Sequence, residues 1–150
     1  MLVNFKLNGI DVELNIKPGD YLLDSLRNYG VKSVKKGCDG SLCGACTVLV
    51  DDKPVLSCSV LTASIEGKNV TTVEGIQEEA SRLADCFSKE GADQCGYCNA
   101  AYALMVHALQ KENPNPSDEE IKEYFVGNLC RCTGYQSQQK ALKAYLGGKK

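Results

Sequence analysis

The chain has 150 residues, of which 43% are hydrophobic and 24% charged, and its formal net charge at pH 7 is -2. This composition is typical of a globular protein with one sizeable domain or two small ones, and it excludes the disordered and fibrous classes. Charges of both signs are interspersed and no apolar run approaches the roughly 20 residues of a membrane-spanning helix, so we expect neither a nucleic-acid partner nor membrane insertion.

The N-terminal segment predicts a β-hairpin followed by a helix. Apolar and polar residues alternate through residues 2–17 on both sides of Asn8-Gly9, a dipeptide typical of a tight hairpin turn. A proline-glycine pair then ends the second strand, and Asp20 is placed to cap a short amphipathic helix that Gly30 ends. Two antiparallel strands and one helix are therefore expected.

The pattern continues with more short strands. Alternating residues flank the turn at Asp51-Asp52, which predicts a second hairpin, and residues 69–73 predict a last strand. Several strands with one crossing helix favour a β-grasp fold, and we expect this domain to span residues 1–75.

From about residue 76 the hydrophobic period changes from that of strands to that of helices. Two amphipathic helices come first, and a capping-box pattern of Ser117 and Glu120 then opens a third. A fourth is expected from about residue 136 to 146. We therefore predict an α+β protein in which a helical domain, residues 76–150, packs on the first.

Nine cysteines are the most informative feature of the composition. The sequence has no apolar run typical of a signal peptide. In a cytoplasmic protein thiols stay reduced, so this number of cysteines indicates metal or redox chemistry. We therefore expect a cytoplasmic location. The cysteines form a group of four, one alone, and a second group of four: Cys38, Cys43, Cys46 and Cys58, then Cys86, then Cys95, Cys98, Cys130 and Cys132.

The first group has the C-x4-C-x2-C…C spacing of plant-type [2Fe-2S] ferredoxins. Three thiolates on one short loop surround a cluster only if the backbone wraps it closely, and Gly37, Gly40 and Gly44 permit that approach and direct amide N–H groups at the sulfurs. Structural zinc also takes four thiolates, but it favours paired C-x2-C knuckles, of which this group has one. The spacing predicts a [2Fe-2S] site.

The second group consists of a C-x2-C pair and a C-x-C pair separated by 31 residues. Helices can bring two such loops together at one end of a bundle. Four thiolates suit an iron–sulfur cluster or zinc, and the spacing alone does not separate them. A redox site on the same chain favours a second cluster, because two centres in series form a relay.

The chain resembles the small iron–sulfur subunit of the xanthine oxidase family of molybdenum hydroxylases over residues 2 to about 145. The resemblance implies a plant-type ferredoxin β-grasp domain followed by a four-helix bundle, each with one [2Fe-2S] cluster. Four stretches carry it: GCDGSLCGACTV at 37–48, SC at 57–58, GADQCGYC at 91–98 and GNLCRCTGY at 127–135.

In that family a molybdenum-pterin cofactor on a large subunit oxidises the substrate. Electrons then pass through the helical-domain cluster and the ferredoxin cluster to an acceptor, usually FAD on a medium subunit. The resemblance therefore implies an electron-transfer subunit without catalytic residues of its own. Gln94 matches a glutamine that hydrogen-bonds the pterin, and Cys132 matches the cysteine on the cluster side that faces it.

Two segments depart from the family pattern. After Cys98 the family commonly has Thr-Pro-Gly, whereas this chain has Asn-Ala-Ala at 99–101. Ser137 and Gln138 stand where a proline and an aliphatic residue are usual. We expect the start of the helix after Cys98 and its contact with the large subunit to differ from the family pattern, and likewise the contact at Ser137 and Gln138. The cysteine ligands are expected to be unaffected.

Several residues have a simpler interpretation, and two other functions stay open. Cys86 is expected to be a small buried side chain. The lone His107 is expected to be packed or exposed rather than a metal ligand, and Lys32, Lys35 and Lys36 are expected to be solvated. The alternatives to a subunit are a free ferredoxin-like carrier and a one-cluster protein with structural zinc in its helical half.

Overall fold

In a computed structural model that describes residues 1–147, the chain forms a five-stranded sheet crossed by one helix, followed by four further helices. The strands are β1 Leu2–Leu7, β2 Ile10–Asn15, β3 Thr47–Val50, β4 Lys53–Leu56 and β5 Asn69–Thr71. The helices are α1 Leu22–Tyr29, α2 Gln77–Lys89, α3 Asn99–Glu112, α4 Asp118–Tyr124 and α5 Gln136–Gly147. Short 3-10 turns lie at Ser57–Ser59, Thr62–Ile65 and Val73–Ile76.

The sheet has the strand order β2-β1-β5-β3-β4. β1 and β5 pair in parallel, and the other neighbours pair antiparallel. Both hairpin turns have positive φ at their two central residues, 52° and 83° at Asn8-Gly9 and 49° and 66° at Asp51-Asp52, as a tight primed turn requires. The α+β fold with a β-grasp first half is confirmed.

Two details of the first half differ from expectation. Asp20 does not cap α1: the N-cap residue is Tyr21, and Asp20 Oδ2 instead accepts a hydrogen bond from Lys17 N at 2.8 Å, which closes the proline-glycine turn. The last strand ends at Thr71, because Val73 begins a 3-10 turn. Gly30 ends α1 in the left-handed conformation, as predicted.

The described residues contain two hydrophobic cores, and β3 contributes to both. One core joins the sheet to α1 and includes Phe5, Leu26 and Val48; the other lies among the four later helices and includes Leu49. Adjacent residues of a strand point to opposite faces of the sheet, so Val48 and Leu49 reach different cores. The helical half therefore packs on the face of the sheet opposite α1.

The helical half is organised around α3, which is buried on most of its sides. Ser117 and Glu120 form both hydrogen bonds of the predicted capping box at the start of α4. The buried face of α5 consists of four residues at helical spacing: Gln138, Ala141, Leu142 and Tyr145. Among residues 1–147, every helix is too short or too polar to cross a membrane.

Candidate iron–sulfur sites

The first cysteine group lies at one end of the sheet. Cys38, Cys43 and Cys46 belong to the long loop between α1 and β3, and Cys58 lies in the 3-10 turn after β4. The sulfurs of Cys46 and Cys58 are 3.3 Å apart, and the thiols of Cys38 and Cys43 are hydrogen-bonded to each other. The fold thus gathers all four predicted residues as two pairs.

Backbone amides of the same loop point at the sulfur of Cys38. Leu42 N donates to Cys38 Sγ at 3.3 Å, and the amides of Cys43 and Gly40 also donate to it. These bonds stabilise the thiolate, so the pKa of Cys38 falls to about 7. Burial has the opposite effect on Cys46 and raises its pKa to about 11. The loop therefore supplies the donors that a set of four thiolates needs.

At two of the three loop glycines, neighbouring atoms approach so closely that a larger residue would collide with them. A Cβ on Gly37 would lie 2.9 Å from Cys43 Sγ. Gly44 has φ +72°, and a Cβ there would lie 2.5 Å from the carbonyl oxygen of Gly127. At Gly40 a Cβ would make only ordinary contacts with Leu42, so the predicted steric need for glycine is wrong at this position; its amide N–H is what faces the sulfur.

The second cysteine group lies where two loops of the helical half meet. Cys95 and Cys98 precede α3, and Cys130 and Cys132 lie between α4 and α5. Cys98 pairs with Cys130 and Cys95 pairs with Cys132 through their thiols. Cys98 is buried, whereas Cys95 and Cys132 are exposed. The bundle therefore brings all four predicted residues together, with one pair inside and one pair at the surface.

The two inner thiols have different surroundings. Burial raises the pKa of Cys98 to about 12. Burial also acts on Cys130, but hydrogen bonds from the Thr133 hydroxyl and from the amides of Cys132 and Thr133 outweigh it, so its pKa is lowered. Thr133 Oγ1 lies 3.4 Å from Cys130 Sγ. Hydrogen-bond donors thus reach this site from side chains as well as from the backbone.

Cavities of suitable chemistry adjoin both groups. One of about 360 Å³ is lined by residues that include Cys38, Cys58 and Ser41. The other, of about 410 Å³, lies between the halves and is lined by Cys43 and by all four cysteines of the second group. Space beside the thiols is therefore available at each site.

Direct hydrogen bonds join the two sites, and the sequence did not predict them. Leu129 N donates to the carbonyl oxygen of Cys43 at 2.9 Å, which connects the residue before Cys130 to a cysteine of the first group. Asn128 Nδ2 lies 3.5 Å from the carbonyl oxygen of Gly44. The glycine-rich composition of the loop was the only sequence signal that another segment approaches it.

Tyr97 forms a second bridge between the halves. Its hydroxyl donates to the carbonyl oxygen of Lys36 at 2.7 Å, and the ammonium of Lys35 lies 5.8 Å from the centre of its ring. Lys35 was expected to be merely solvated, and this contact with Tyr97 is an additional role.

The remaining residues singled out in the sequence have simple surroundings. Gln94 is exposed, and its Nε2 donates to the carbonyl oxygen of Gly91 at 3.1 Å. Cys86 is partly buried against the helical core, and His107 pairs with Glu79 across α2 and α3. Asn99, at the first departure from the family pattern, donates to Asp93 at 3.1 Å.

The donor sets fit two-iron clusters. A [2Fe-2S] cluster bound by four cysteines places two thiolates on each iron, and each group here consists of two thiol pairs. This pairing suits a dinuclear cluster at each site.

Comparison with known proteins agrees with this chemistry. Residues 5–73 match the model of the 2Fe-2S iron-sulfur cluster binding domain, and residues 72–143 match the model of the [2Fe-2S] binding domain. The chain is 44% identical to the nicotinate dehydrogenase small FeS subunit of Eubacterium barkeri, over 94% of this chain and 92% of that protein. It is 42% identical to the xanthine dehydrogenase iron-sulfur-binding subunit of Escherichia coli O157:H7, over 87% and 84%.

A solved structure shows the same fold over the whole chain. Quinoline 2-oxidoreductase from Pseudomonas putida 86 superposes with a TM-score of 0.88 at 35% identity, covering 100% of this chain and 98% of the matched one. With two [2Fe-2S] domains in this order and relatives of this similarity, the chain belongs to the family of small iron–sulfur subunits of the molybdenum hydroxylases.

Proposed function

We propose that this chain relays single electrons from a molybdenum-pterin cofactor on a large partner subunit to FAD on a medium subunit, or to another acceptor. The hydrogen bond from Leu129 N to the Cys43 carbonyl carries the proposal. It joins the two cysteine loops directly, so the two sites are neighbours.

The proposed ligands are the two groups of four cysteines. Cys38, Cys43, Cys46 and Cys58 would hold one cluster, and Cys95, Cys98, Cys130 and Cys132 the other. A bound [2Fe-2S] cluster accepts and returns one electron at a time. The chain supplies the thiolates in pairs, directs amide donors at their sulfurs and keeps Cys46 and Cys98 buried.

The exposed side of the helical site supports the direction of transfer. Cys95 and Cys132 are exposed, and Gln94 beside them is exposed with one hydrogen bond to its own loop. An amide both donates and accepts, so Gln94 is suited to the edge of a pterin ring on the large subunit. Electrons would enter beside Cys132 and leave from the ferredoxin half.

We also infer a domain boundary between residues 75 and 76 and a cytoplasmic location. The buried residues of the first hydrophobic core all precede that boundary. Those of the second core all follow it, except Leu49 of the sheet. Eight of the nine cysteines lie in metal-site spacing, which suits a reducing compartment. Fractionation of cells that express the tagged chain tests the location, and recovery in an exported fraction would contradict it.

Purification of the chain from its native cells, under mild conditions, tests the partners. We expect a stable complex that contains molybdenum and, per copy of this chain, about four iron atoms and no zinc. A chain recovered alone would contradict the subunit function and favour the free carrier. Two irons with one zinc would favour the structural-zinc alternative.

Substitution of Gln94 tests the side from which electrons arrive. In the purified complex we expect Gln94→Ala to slow reduction of both clusters by substrate, because the amide contact with the pterin is lost. Reduction by dithionite should be unchanged. Asp93→Asn is the control, because it changes an exposed neighbour of Gln94 but keeps an oxygen that can accept from Asn99. Equal rates of substrate reduction in wild type and Gln94→Ala would contradict the proposed role.

A further inference from the structure

One polar side chain is buried at the start of the apolar face of α5. Gln138 is only 1% exposed, and the residues that continue its face at helical spacing are Ala141, Leu142 and Tyr145. A buried amide without partners is costly, so its hydrogen bonds must be accounted for. This is also the position at which the family pattern usually has an aliphatic residue.

Gln138 makes two hydrogen bonds at the helical cysteine site. Its Nε2 donates to Cys98 Sγ at 3.6 Å, a contact within the helical core. Its Oε1 accepts from Thr133 Oγ1 at 3.0 Å. Amide oxygen and nitrogen are told apart by their partners. A thiolate that binds iron has no proton to donate, so only the amide nitrogen can face Cys98 favourably, and the observed orientation is the one that a cluster requires.

This orientation also decides where the Thr133 hydroxyl points. Thr133 Oγ1 has one proton and lies close to two acceptors, Gln138 Oε1 at 3.0 Å and Cys130 Sγ at 3.4 Å. The backbone N–H of Tyr135 occupies one of its lone pairs at 3.1 Å. The side-chain oxygen of Gln138 therefore competes with the sulfur of Cys130 for the hydrogen bond from Thr133. The side-chain nitrogen of Gln138 meanwhile donates a hydrogen bond to Cys98.

We propose that Gln138 is a positioning residue that raises the reduction potential of the helical-domain cluster through Cys98. Reduction adds one electron, and with it one negative charge, to the iron and sulfur atoms. An N–H dipole aimed at a ligand sulfur stabilises that added charge, and hydrogen bonds to the sulfurs are among the factors that set the potential. The inference rests on the proposed assignment of Cys98 as a ligand.

The test is an EPR-monitored redox titration of the intact complex with Gln138→Met. Methionine fills similar volume without a donor, so folding should be retained. We expect the equilibrium constant for reducing the helical-domain cluster to fall about tenfold, which is about 59 mV for one electron. The ferredoxin cluster of the same molecule is the internal control and should keep its potential. Gln139→Met, the same change one residue along, should leave both potentials unchanged.

The competition for the Thr133 hydroxyl needs its own control. In Gln138→Met this hydroxyl is free to donate to Cys130, which would offset part of the loss at Cys98. We therefore compare Thr133→Val with the double variant Thr133→Val/Gln138→Met, since neither has a hydroxyl at residue 133 that could turn to Cys130. The potential should fall more between these two variants than between wild type and Gln138→Met. Gln138→Ile, the aliphatic choice, should lower the potential as Gln138→Met does.

Two results would overturn the inference. One is an unchanged potential of the helical-domain cluster in both Gln138→Met and the Thr133→Val pair; the other is an equal shift of both clusters, which would indicate a general structural effect. A wrong assignment of Cys98 as a ligand can be recognised separately, because Cys98→Ala would then keep both EPR signals.

Discussion

The two cysteine sites are built in different ways. In the ferredoxin half, three of the four thiols come from one loop of nine residues, 38–46, and the donors to Cys38 come from that loop. In the helical half, the two pairs are 31 residues apart and meet only because α3, α4 and α5 pack together. The first site therefore depends mainly on local backbone conformation, and the second depends on the stability of a hydrophobic core.

Loss of a large side chain from the helical core should produce the largest difference in stability between the two sites. Phe87 is 1% exposed and packs edge-to-face on Tyr102, with 6.1 Å between ring centres. We expect Phe87→Ala to lower the free energy of unfolding by about 3–5 kcal/mol. In urea titrations followed by visible circular dichroism, the helical-domain cluster should be lost first.

Phe5→Ala makes the matching cavity in the sheet core, where Phe5 is 4% exposed. Its cost should be similar, but it should not cause earlier loss of the helical-domain cluster. If Phe87→Ala released the ferredoxin cluster first, the helical site would not depend on its core as described.

A substitution at the junction should disturb both sites. Gly44→Ala forces a Cβ to within 2.5 Å of the Gly127 carbonyl oxygen at a residue with φ +72°. Left-handed strain of about 1–2 kcal/mol and overpacking of about 1–3 kcal/mol give an expected loss of about 2–5 kcal/mol. Chemical unfolding measures the loss. Gly40→Ala is the control, since its Cβ has room; equal destabilisation by the two changes would contradict the close approach.

The N-cap of α4 offers a smaller test of the helical half. Ser117→Ala removes the hydroxyl that accepts from Glu120 N, and we expect a loss of about 1 kcal/mol. Because α4 leads into the segment that carries Cys130, the helical-domain cluster should be released at slightly lower urea. Ser81→Ala, at an exposed position within α2, should change stability by less than about 0.5 kcal/mol. No difference between the two variants would show that the cap does not support this site.

The smallest expected effect concerns the bridge between the halves. Tyr97→Phe removes the hydrogen bond to the Lys36 carbonyl but keeps the ring beside Lys35. The hydroxyl contact is exposed, so we expect a loss of about 0.5 kcal/mol, at the low end for a hydrogen bond. Thermal unfolding with Tyr29→Phe as the control, an exposed tyrosine in α1, measures it. A loss above about 2 kcal/mol would mean that this bond holds the halves together.

The contrast between the sites also explains what the sequence could predict. The first group is recognisable from spacing, because loop length and glycines alone constrain how three close thiols can meet. The spacing of the second group was ambiguous between zinc and iron, since helix packing decides whether Cys98 meets Cys130. The first site on the same chain and the family resemblance then favoured a second cluster. The order of strands and helices followed from hydrophobic period and turn residues, which are local properties.

Other features depend on competition between nearby groups, and sequence patterns do not resolve such competition. Asp20 has the residue type of a helix cap, but a nearer donor, Lys17 N, takes its carboxylate. Gln138 was noted only as a departure from the family pattern. Its polar side chain at the first position of the apolar face of α5 was the available signal, but its distance from Cys98 follows only from the packed bundle.

Single-cysteine substitutions in the purified complex test most directly whether two sets of four thiols hold two clusters. We predict that Cys98→Ala loses one EPR signal and about half of the iron and keeps the other signal, that Cys46→Ala does the converse, and that Cys86→Ala keeps both. Retention of both signals in Cys98→Ala, or loss of one in Cys86→Ala, would contradict the assignment.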